Sequence, residues 1–283
     1  MSPRDESKSR SKAEGVPAPF HGGKPAPPVP EISVVVPARD EADNVAPLLE
    51  DVRAALDGRA DYEVIFVDDG SVDGTPAKLR ELSREFPRLR WVRHRWPCGQ
   101  SGAIWTGVRI ARAPWIVTLD GDGQNDPADI PALLSARDSR EPGANLLVGG
   151  RRERRRDSFV KRASSRIANG IRSRVLGDDT TDTGCGLKLF PRETFLLFPF
   201  FDHMHRFLPA LMRRAGGDVL SVPVRDRERR HGRSHYGVHN RLWTGIVDMF
   251  GVKWLQRRAK IPVLAGLPPD ADGERTDVRL DEE

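Results

Sequence analysis

Two aspartates, Asp120 and Asp122, follow a short apolar run within WIVTLDGDGQNDP, residues 115–127. The apolar run predicts a buried strand, and the glycines beside the aspartates predict an abrupt turn at its end. Both carboxylates are therefore expected to face one point, where Mg²⁺ or Mn²⁺ would find the oxygen ligands that hard cations prefer. Gln124 offers a third oxygen. Such a cation keeps open positions for water and phosphate, so the predicted ligand is a nucleotide diphosphate.

An isolated pair of this kind also fits a plain turn, because Asp126 and Pro127 have the residue types of a helix start. Two further acidic clusters favour the cation. PARDE, residues 37–41, follows one apolar run, and Asp68 with Asp69 follows another. Each cluster alone also suits a cap or a turn. If all three lie at strand ends on one edge of a sheet, their charges need a cation or a basic contact.

The elements that must position these carboxylates alternate between buried strands and helices. Apolar runs predict strands at residues 32–36, 63–67, 89–94, 115–119 and 145–149. Helical spacing of apolar residues or helix-start residues predict helices at 45–56, 75–86, 100–111 and 127–136. The alternation predicts an α/β fold, with a mostly parallel sheet and helices on both faces. Ligands of such sheets bind beyond the carboxyl ends of the strands.

Length and composition suit one α/β domain with tails, since the chain has 283 residues, 38% of them hydrophobic and 31% charged. The expected units are a disordered tail at 1–30, the folded domain at 31–235, an amphipathic helix at 236–260 and a flexible tail at 261–283. Cys98 and Cys185 are too few for a disulfide framework or a structural zinc site, which favours a reducing cytosol. Without an evident signal peptide or spanning run, we expect a soluble or peripheral protein.

The charge is uneven. The formal net charge is +5, and residues 151–174 and 225–241 form two basic runs. Such runs suit a solvated face, a nucleic-acid footprint, an anionic lipid surface or a phosphorylated substrate. Aromatic residues are sparse in both runs and no nucleic-acid-binding module accompanies them, so no nucleic acid is expected as a partner.

The C-terminal segment has apolar residues at helical spacing with basic residues around them. The apolar set is Leu242, Trp243, Ile246, Val247, Phe250, Trp254 and Leu255, and the basic set is Arg241, Lys253, Arg257, Arg258 and Lys260. A helix of this kind suits the headgroup plane of an anionic membrane. Packing on the folded domain or on a partner protein explains the same pattern.

Five motifs in order, PARDEADN, VDDGSVDGT, LDGDGQNDP, DTGCGLKLF and RRHGRSHYG, resemble family 2 glycosyltransferases of the GT-A fold. The resemblance covers residues 32–258 and is to the dolichol-phosphate mannosyltransferase type, which includes bacterial polyprenyl-phosphate glycosyltransferases. It implies a metal-dependent inverting enzyme that moves a hexose from a GDP- or UDP-linked sugar to polyprenyl or dolichyl phosphate. It also implies a cytoplasmic, peripheral location at the inner membrane face, with an anionic membrane surface and an integral membrane protein as further expected partners.

The resemblance assigns roles position by position. It implies contacts with the nucleotide sugar from Pro37, Arg39, Glu41, Val67, Asp69, Asp120, Gly121, Asp122, Arg229 and His235. It implies metal ligation by Asp120, Asp122 and Gln124, and acceptor-phosphate binding by Arg151, Lys161 and Ser165. The implied catalytic residues are Asp122, Arg151 and Arg229, with Asp182 as the base if the acceptor is a hydroxyl. Arg39 and Asp40 replace an aromatic residue and an asparagine of the family, and His235 replaces a lysine.

Two other functions fit the same residues. One is transfer to a hydroxyl of a saccharide or protein, which needs a carboxylate base, whereas a lipid phosphate with a second pKa of about 6 arrives ionised. The other is a non-catalytic descendant that binds a nucleotide sugar. The QxxRW motif of processive synthases is absent, since the two Arg-Trp pairs, Arg90-Trp91 and Arg95-Trp96, lack the matching glutamine.

Overall fold

A computed structural model describes residues 28–153, 170, 172–178, 180, 182–229 and 239–259. Within them, seven strands form one sheet in the order β3-β2-β1-β4-β6-β5-β7. The strands are β1 (Ile32–Ala38), β2 (Tyr62–Asp68), β3 (Leu89–Arg93), β4 (Trp115–Thr118), β5 (Leu146–Arg152), β6 (Lys188–Pro191) and β7 (Asp218–Val224). The helices are α1 (Ala42–Leu56), α2 (Thr75–Glu85), α3 (Gly99–Ile110), α4 (Ile130–Asp138), α5 (Arg192–Leu196), α6 (Leu208–Arg214) and α7 (His239–Arg257).

The predicted mostly parallel sheet is confirmed. β1 pairs in parallel with β2 and β4, β2 with β3, and β5 with β7. The exception is β6, which runs antiparallel between β4 and β5. Neither β6 nor β7 was predicted from the sequence. The carboxyl ends of β1, β2 and β4 lie at one edge, which places the three acidic clusters there.

Helices cover both faces of the sheet, as the alternation predicts. Along β1, Val34 and Val36 are fully buried against α1, α2 and α4. Val35, which points the other way, is buried against α3, α5 and α6. A strand covered on both faces has no solvent side, so β-branched residues fill it without polar alternation.

The first strand is longer than predicted. We expected it to stop before Pro37, yet β1 continues through Pro37 to Ala38. The Val35 carbonyl accepts a hydrogen bond from Leu119 N on the β4 side. Pro37, two residues later, faces that same side where β4 has already ended. Its missing N–H therefore breaks no ladder bond.

Helix α7 lies within the predicted segment 236–260 and packs on the domain. Val252 is buried with Leu176, Phe207 and Ala210, and Gln256 Nε2 donates to Leu176 O at 2.8 Å. In the part of the chain that the structure describes, no helix is long and apolar enough to cross a membrane. Both expected tails lie outside the described residues, apart from residues 28–30.

A buried glutamate fixes the amino ends of three strands. Glu63 on β2 accepts hydrogen bonds from Ser33 Oγ at 2.7 Å, Arg90 Nη1 at 2.9 Å and Arg112 N at 2.7 Å. Burial alone would raise the pKa of Glu63, but these donors, with Arg112 N first, lower it below its ordinary value. The ionised carboxylate is therefore favoured in the folded protein.

Replacing Glu63 with glutamine is expected to lower the free energy of unfolding by about 2 kcal/mol at pH 7, because one side of the amide would face donors. A lowered pKa gives stability above the unfolded value, which is lost as pH falls through the folded value. The difference between Glu63→Gln and wild type in urea unfolding should therefore shrink toward pH 4. Glu50→Gln, at an exposed pair with Arg53, is the control. Equal stability of Glu63→Gln and wild type at pH 7 would contradict the assignment.

Candidate active site

The turn after β4 packs directly on the end of β1. A Cβ added at Gly121 would lie 2.7 Å from the Pro37 carbonyl oxygen, so only glycine allows this approach. Within the turn, Asp122 Oδ1 accepts a hydrogen bond from Gln124 N at 3.1 Å, and Asp122 is buried. The turn therefore holds Asp120 and Asp122 close to the end of β1.

Asp120 lies in a tight polar cradle. Gln100 Nε2, on the first turn of α3, donates to Asp120 Oδ1 at 2.7 Å. A Cβ at Gly186 would lie 2.3 Å from the Asp120 carboxylate, so this glycine leaves the room that the carboxylate fills. Burial and then the charge of Asp122 raise the pKa of Asp120 to about 6, although Lys188 opposes the rise.

Asp122 pairs with an arginine from the other end of the chain. Arg229 Nη2 donates to Asp122 Oδ2 at 2.7 Å. The loop that carries Arg229 is attached to the turn, because Arg227 N donates to Gln124 O at 2.9 Å. The structure thus brings together Arg229, assigned to the donor, and the aspartates assigned to the metal.

Hydrogen bonds join the PARDEADN segment to the VDDGSVDGT segment. Asp40 adopts a left-handed conformation with φ of 55°, its N–H donates to Ser71 Oγ at 2.9 Å, and its Oδ1 accepts from Val72 N at 2.8 Å. Asparagine and aspartate both tolerate this conformation, so the departure at Asp40 keeps the turn. Arg39 is exposed and Glu41 half-buried beside it.

Asp69 holds the start of α3. Its carboxylate accepts from Cys98 N at 2.7 Å and Gly99 N at 2.8 Å, and it contacts His94 Nδ1 at 2.7 Å. Among described residues, Asp69, His94 and Cys98 are the one His/Cys/Asp/Glu group spaced for a metal, but these contacts indicate a helix cap. Because the same turn of α3 reaches Asp120, the two acidic clusters share one edge.

Val67, another residue assigned to the nucleotide sugar, is fully buried beneath α3.

The two arginines at the end of β5 have different surroundings. Arg151, assigned to the reacting phosphates, is exposed. Arg152 binds Asp182 with two hydrogen bonds, Nε to Oδ2 and Nη2 to Oδ1, both at 2.8 Å. Burial lowers the pKa of Arg152, but the pairing with Asp182 outweighs it and raises that pKa overall. The suggested base Asp182 is therefore held by a permanent cation.

Sequence reasoning missed three residues at this site, Gln100, Arg152 and Lys188. Lys188 is buried on β6, where its ammonium donates to the Cys185 carbonyl. A lysine inside the apolar stretch GLKLF was the available signal, because a buried lysine needs a partner. Lys161, Ser165 and His235, assigned from the resemblance, lie outside the described residues.

Comparison with known proteins decides the family. The profile described as Glycosyl transferase family 2 matches residues 33–197. The chain belongs to the family 2 glycosyltransferases. A dodecaprenyl-phosphate galacturonate synthase of Rhizobium johnstonii is 36% identical over 231 residues, 80% of this chain and 68% of that protein. An undecaprenyl-phosphate 4-deoxy-4-formamido-L-arabinose transferase of Edwardsiella ictaluri is 34% identical over 209 residues, 73% of this chain and 63% of that protein.

Solved structures confirm the predicted GT-A fold. Glucosyl-3-phosphoglycerate synthase of Mycobacterium tuberculosis, solved with Mg²⁺ and UDP, has a TM-score of 0.60 at 18% identity, covering 83% of this chain and 81% of that one. A mannosyltransferase of Pyrobaculum calidifontis, solved with GDP-mannose and Mn²⁺, has a TM-score of 0.57 at 22% identity, covering 82% and 66%. Because both structures are less than 25% identical to this chain, the similarity shows that they share its fold and nothing more.

The residues of this glycosyltransferase fit a divalent cation. Asp120 and Asp122 supply hard oxygen donors. The pKa of Asp120 is raised first by burial and then by the charge of Asp122. Arg229 pairs with one oxygen of Asp122. The glycine at position 186 leaves space beside the carboxylate of Asp120. Gln124, the third predicted ligand, contributes only backbone contacts among those described here.

Gly186→Ala is expected to weaken Mn²⁺ binding at least about tenfold, because its Cβ would displace the Asp120 carboxylate and such sites tolerate shifts of only about 0.5 Å. Mn²⁺ titration followed by electron paramagnetic resonance measures the effect. Gly184→Ala is the matched control, since no atom lies nearer than 3.4 Å to its added Cβ, which is ordinary van der Waals contact. Unchanged binding by Gly186→Ala would contradict the site.

Metal affinity should also depend on pH. A pKa of about 6 means that Asp120 carries a proton below that pH, and the proton competes with the cation. Mn²⁺ affinity is expected to fall about tenfold for each pH unit below 6 and to level off above it. Asp120→Asn should lose both the high affinity and this dependence. A wild-type affinity that stays constant from about pH 5 to 7.5 would contradict a raised pKa at Asp120.

Proposed function

We propose that this glycosyltransferase moves a hexose from a GDP- or UDP-linked sugar to a polyprenyl phosphate, with Mg²⁺ or Mn²⁺ and with inversion at the anomeric carbon. The observation that carries the proposal is the convergence of Asp120, Asp122 and Arg229 at the carboxyl edge of the sheet. Both relatives described above are named for transfer to a polyprenyl phosphate. The mannosyltransferase-like part of the sequence prediction gains no support from their names.

The donor side follows from charge. Breaking the bond to the nucleoside diphosphate develops negative charge on the leaving phosphate. A bound cation would stabilise that charge as a Lewis acid. Asp120 and Asp122 would hold the cation, and Arg229, freed from Asp122 when the cation binds, would supply a second positive contact. Pro37 lies near the carboxyl end of β1. It is proposed to contact the nucleoside together with Arg39, Glu41 and Asp69, which follow strands at the same edge.

The acceptor side favours a phosphate over a hydroxyl. A hydroxyl acceptor needs a free carboxylate base, whereas Asp182 is buried and held at both oxygens by Arg152. A lipid phosphate is ionised at neutral pH and needs placement by cations. Arg151 is exposed at the end of β5 and is available for that role. Lys161 and Ser165 are proposed to complete the phosphate site.

Because polyprenyl phosphates reside in bilayers, we place the enzyme peripherally on the cytoplasmic inner face of a membrane. An anionic lipid surface is then a partner, and an integral membrane protein that takes the lipid-linked product is a second one. The basic segment at residues 151–174 and the pI of about 9.5 of the whole chain support attraction to such a surface.

Purified protein, radiolabelled nucleotide hexoses, Mn²⁺ and a detergent-dispersed polyprenyl phosphate should yield a lipid-linked sugar. Asp122→Asn is expected to lower kcat at least about a hundredfold, because the cation would lose a ligand where charge develops. Asp138→Asn, which removes an exposed carboxylate on α4, is the matched control and should keep wild-type activity. Transfer by Asp122→Asn at the wild-type rate, or to sugar hydroxyls but never to the lipid phosphate, would overturn the proposal.

A further inference from the structure

The outer face of α7 exposes large apolar side chains. Val247, Phe250 and Trp254 are 68%, 64% and 58% exposed. Their spacing of three and four residues puts them on one stripe of the helix. Isolated exposed apolar residues are ordinary, whereas large apolar side chains aligned on one stripe are typical of an interaction surface.

The opposite face of α7 is already occupied. Val252 is buried, and Met249 packs in the same cluster beside Phe201. Asp248 also lies toward the domain, where its Oδ2 is 3.3 Å from Nδ1 of His203. The exposed stripe therefore points away from the part of the domain that the structure describes.

A second apolar group lies on the segment that α7 packs against. Leu197 is 79% exposed and Phe200 is 52% exposed. Phe200 is three residues from His203, so its Cα lies within about 11 Å of the residue that pairs with α7. Its neighbour Phe201 is turned inward onto the cluster of Val252. Chain connectivity therefore keeps the two exposed groups near each other.

Cations accompany both groups. The Arg258 guanidinium lies 5.9 Å from the Trp254 ring centroid, and the Arg109 guanidinium lies 4.5 Å from the ring of Trp105, which contacts Phe200 at 5.3 Å. Among residues 244–259 the one acid is Asp248, which faces the domain. Asp202 on the segment is exposed, with His203 Nε2 3.6 Å away.

We infer that α7 and the segment Leu197–Phe200 together form one docking surface for an anionic lipid bilayer. Aromatic and aliphatic tips would enter the interface, while arginines at its border would bind lipid phosphates. The charge pattern selects the occupant, since an apolar surface bordered by arginines suits anionic lipid. This inference deepens the proposed function by naming the lipid-facing side of the enzyme.

The same segment also reaches the candidate active site. His205, a few residues beyond Phe200, has its Nδ1 2.7 Å from Ser101 Oγ on the first turn of α3. That turn carries Gln100, the hydrogen-bond donor to Asp120. The elements that would bind the bilayer are therefore connected through α3 to the proposed metal site.

Vesicle binding tests the surface without requiring catalysis. Full-length protein is sedimented with phosphatidylcholine vesicles with or without phosphatidylglycerol. The pairs Phe250→Ser with Trp254→Ser, and Leu197→Ser with Phe200→Ser, should each weaken binding to anionic vesicles about tenfold or more. Val72→Ser is the matched control, because Val72 is 92% exposed on a different loop. Added salt should weaken wild-type binding, since lipid charge is screened.

Three outcomes would overturn the inference. The first is that wild-type protein does not bind anionic vesicles. The second is that the Leu197 and Phe200 variant binds them as wild type does. The third is that the wild type is a dimer and that Trp254→Ser converts it to a monomer. The last would assign the surface to a second copy of the chain. All variants should keep transfer to the detergent-dispersed acceptor, so loss of vesicle binding with intact transfer separates this inference from the proposed function.

Discussion

The burial of Asp120 beside a second carboxylate, Asp122, is the constraint on which the site depends. Raising the pKa of Asp120 from 3.8 to about 6 means that ionising it at neutral pH costs about 3 kcal/mol relative to an exposed aspartate. The folded state binds that proton more tightly than the unfolded chain does, so this group's contribution to stability declines as pH rises from 3.8 to 6. A divalent cation would remove the penalty, because its charge opposes both carboxylates.

The fold keeps the two aspartates close despite their like charges. One turn of α3 supports both acidic clusters, since Asp69 accepts its backbone N–H groups and Gln100 donates to Asp120. From below, β6 contributes Lys188, whose charge lowers the pKa of Asp120 and whose own pKa burial lowers. Arg229 then pairs with Asp122. Each carboxylate thus has a positively charged side chain nearby.

The sequence predicted the elements and residues whose signals are local. β1, β2 and β4 are covered on both faces, so their apolar runs identified them, and the aspartates follow directly in the chain. β6 has four residues and includes Lys188, and much of β7 is exposed, so neither shows a clear pattern. The pairing of Asp182 with Arg152 could not be predicted from the sequence either. Choosing Arg152 over Arg151 requires the strand register, which decides the face each side chain takes.

Helix α7 shows why two explanations of one sequence pattern need not compete. Membrane contact and packing on the domain were alternatives for the same apolar spacing, but the helix has apolar residues on two faces. Val252 and Met249 account for the packing, whereas Val247, Phe250 and Trp254 remain exposed. Packing alone explains none of the exposed three, because they lie on the far side. A helix already anchored by one face presents its other face in a fixed direction, so a surface that binds there would also orient the carboxyl edge of the sheet.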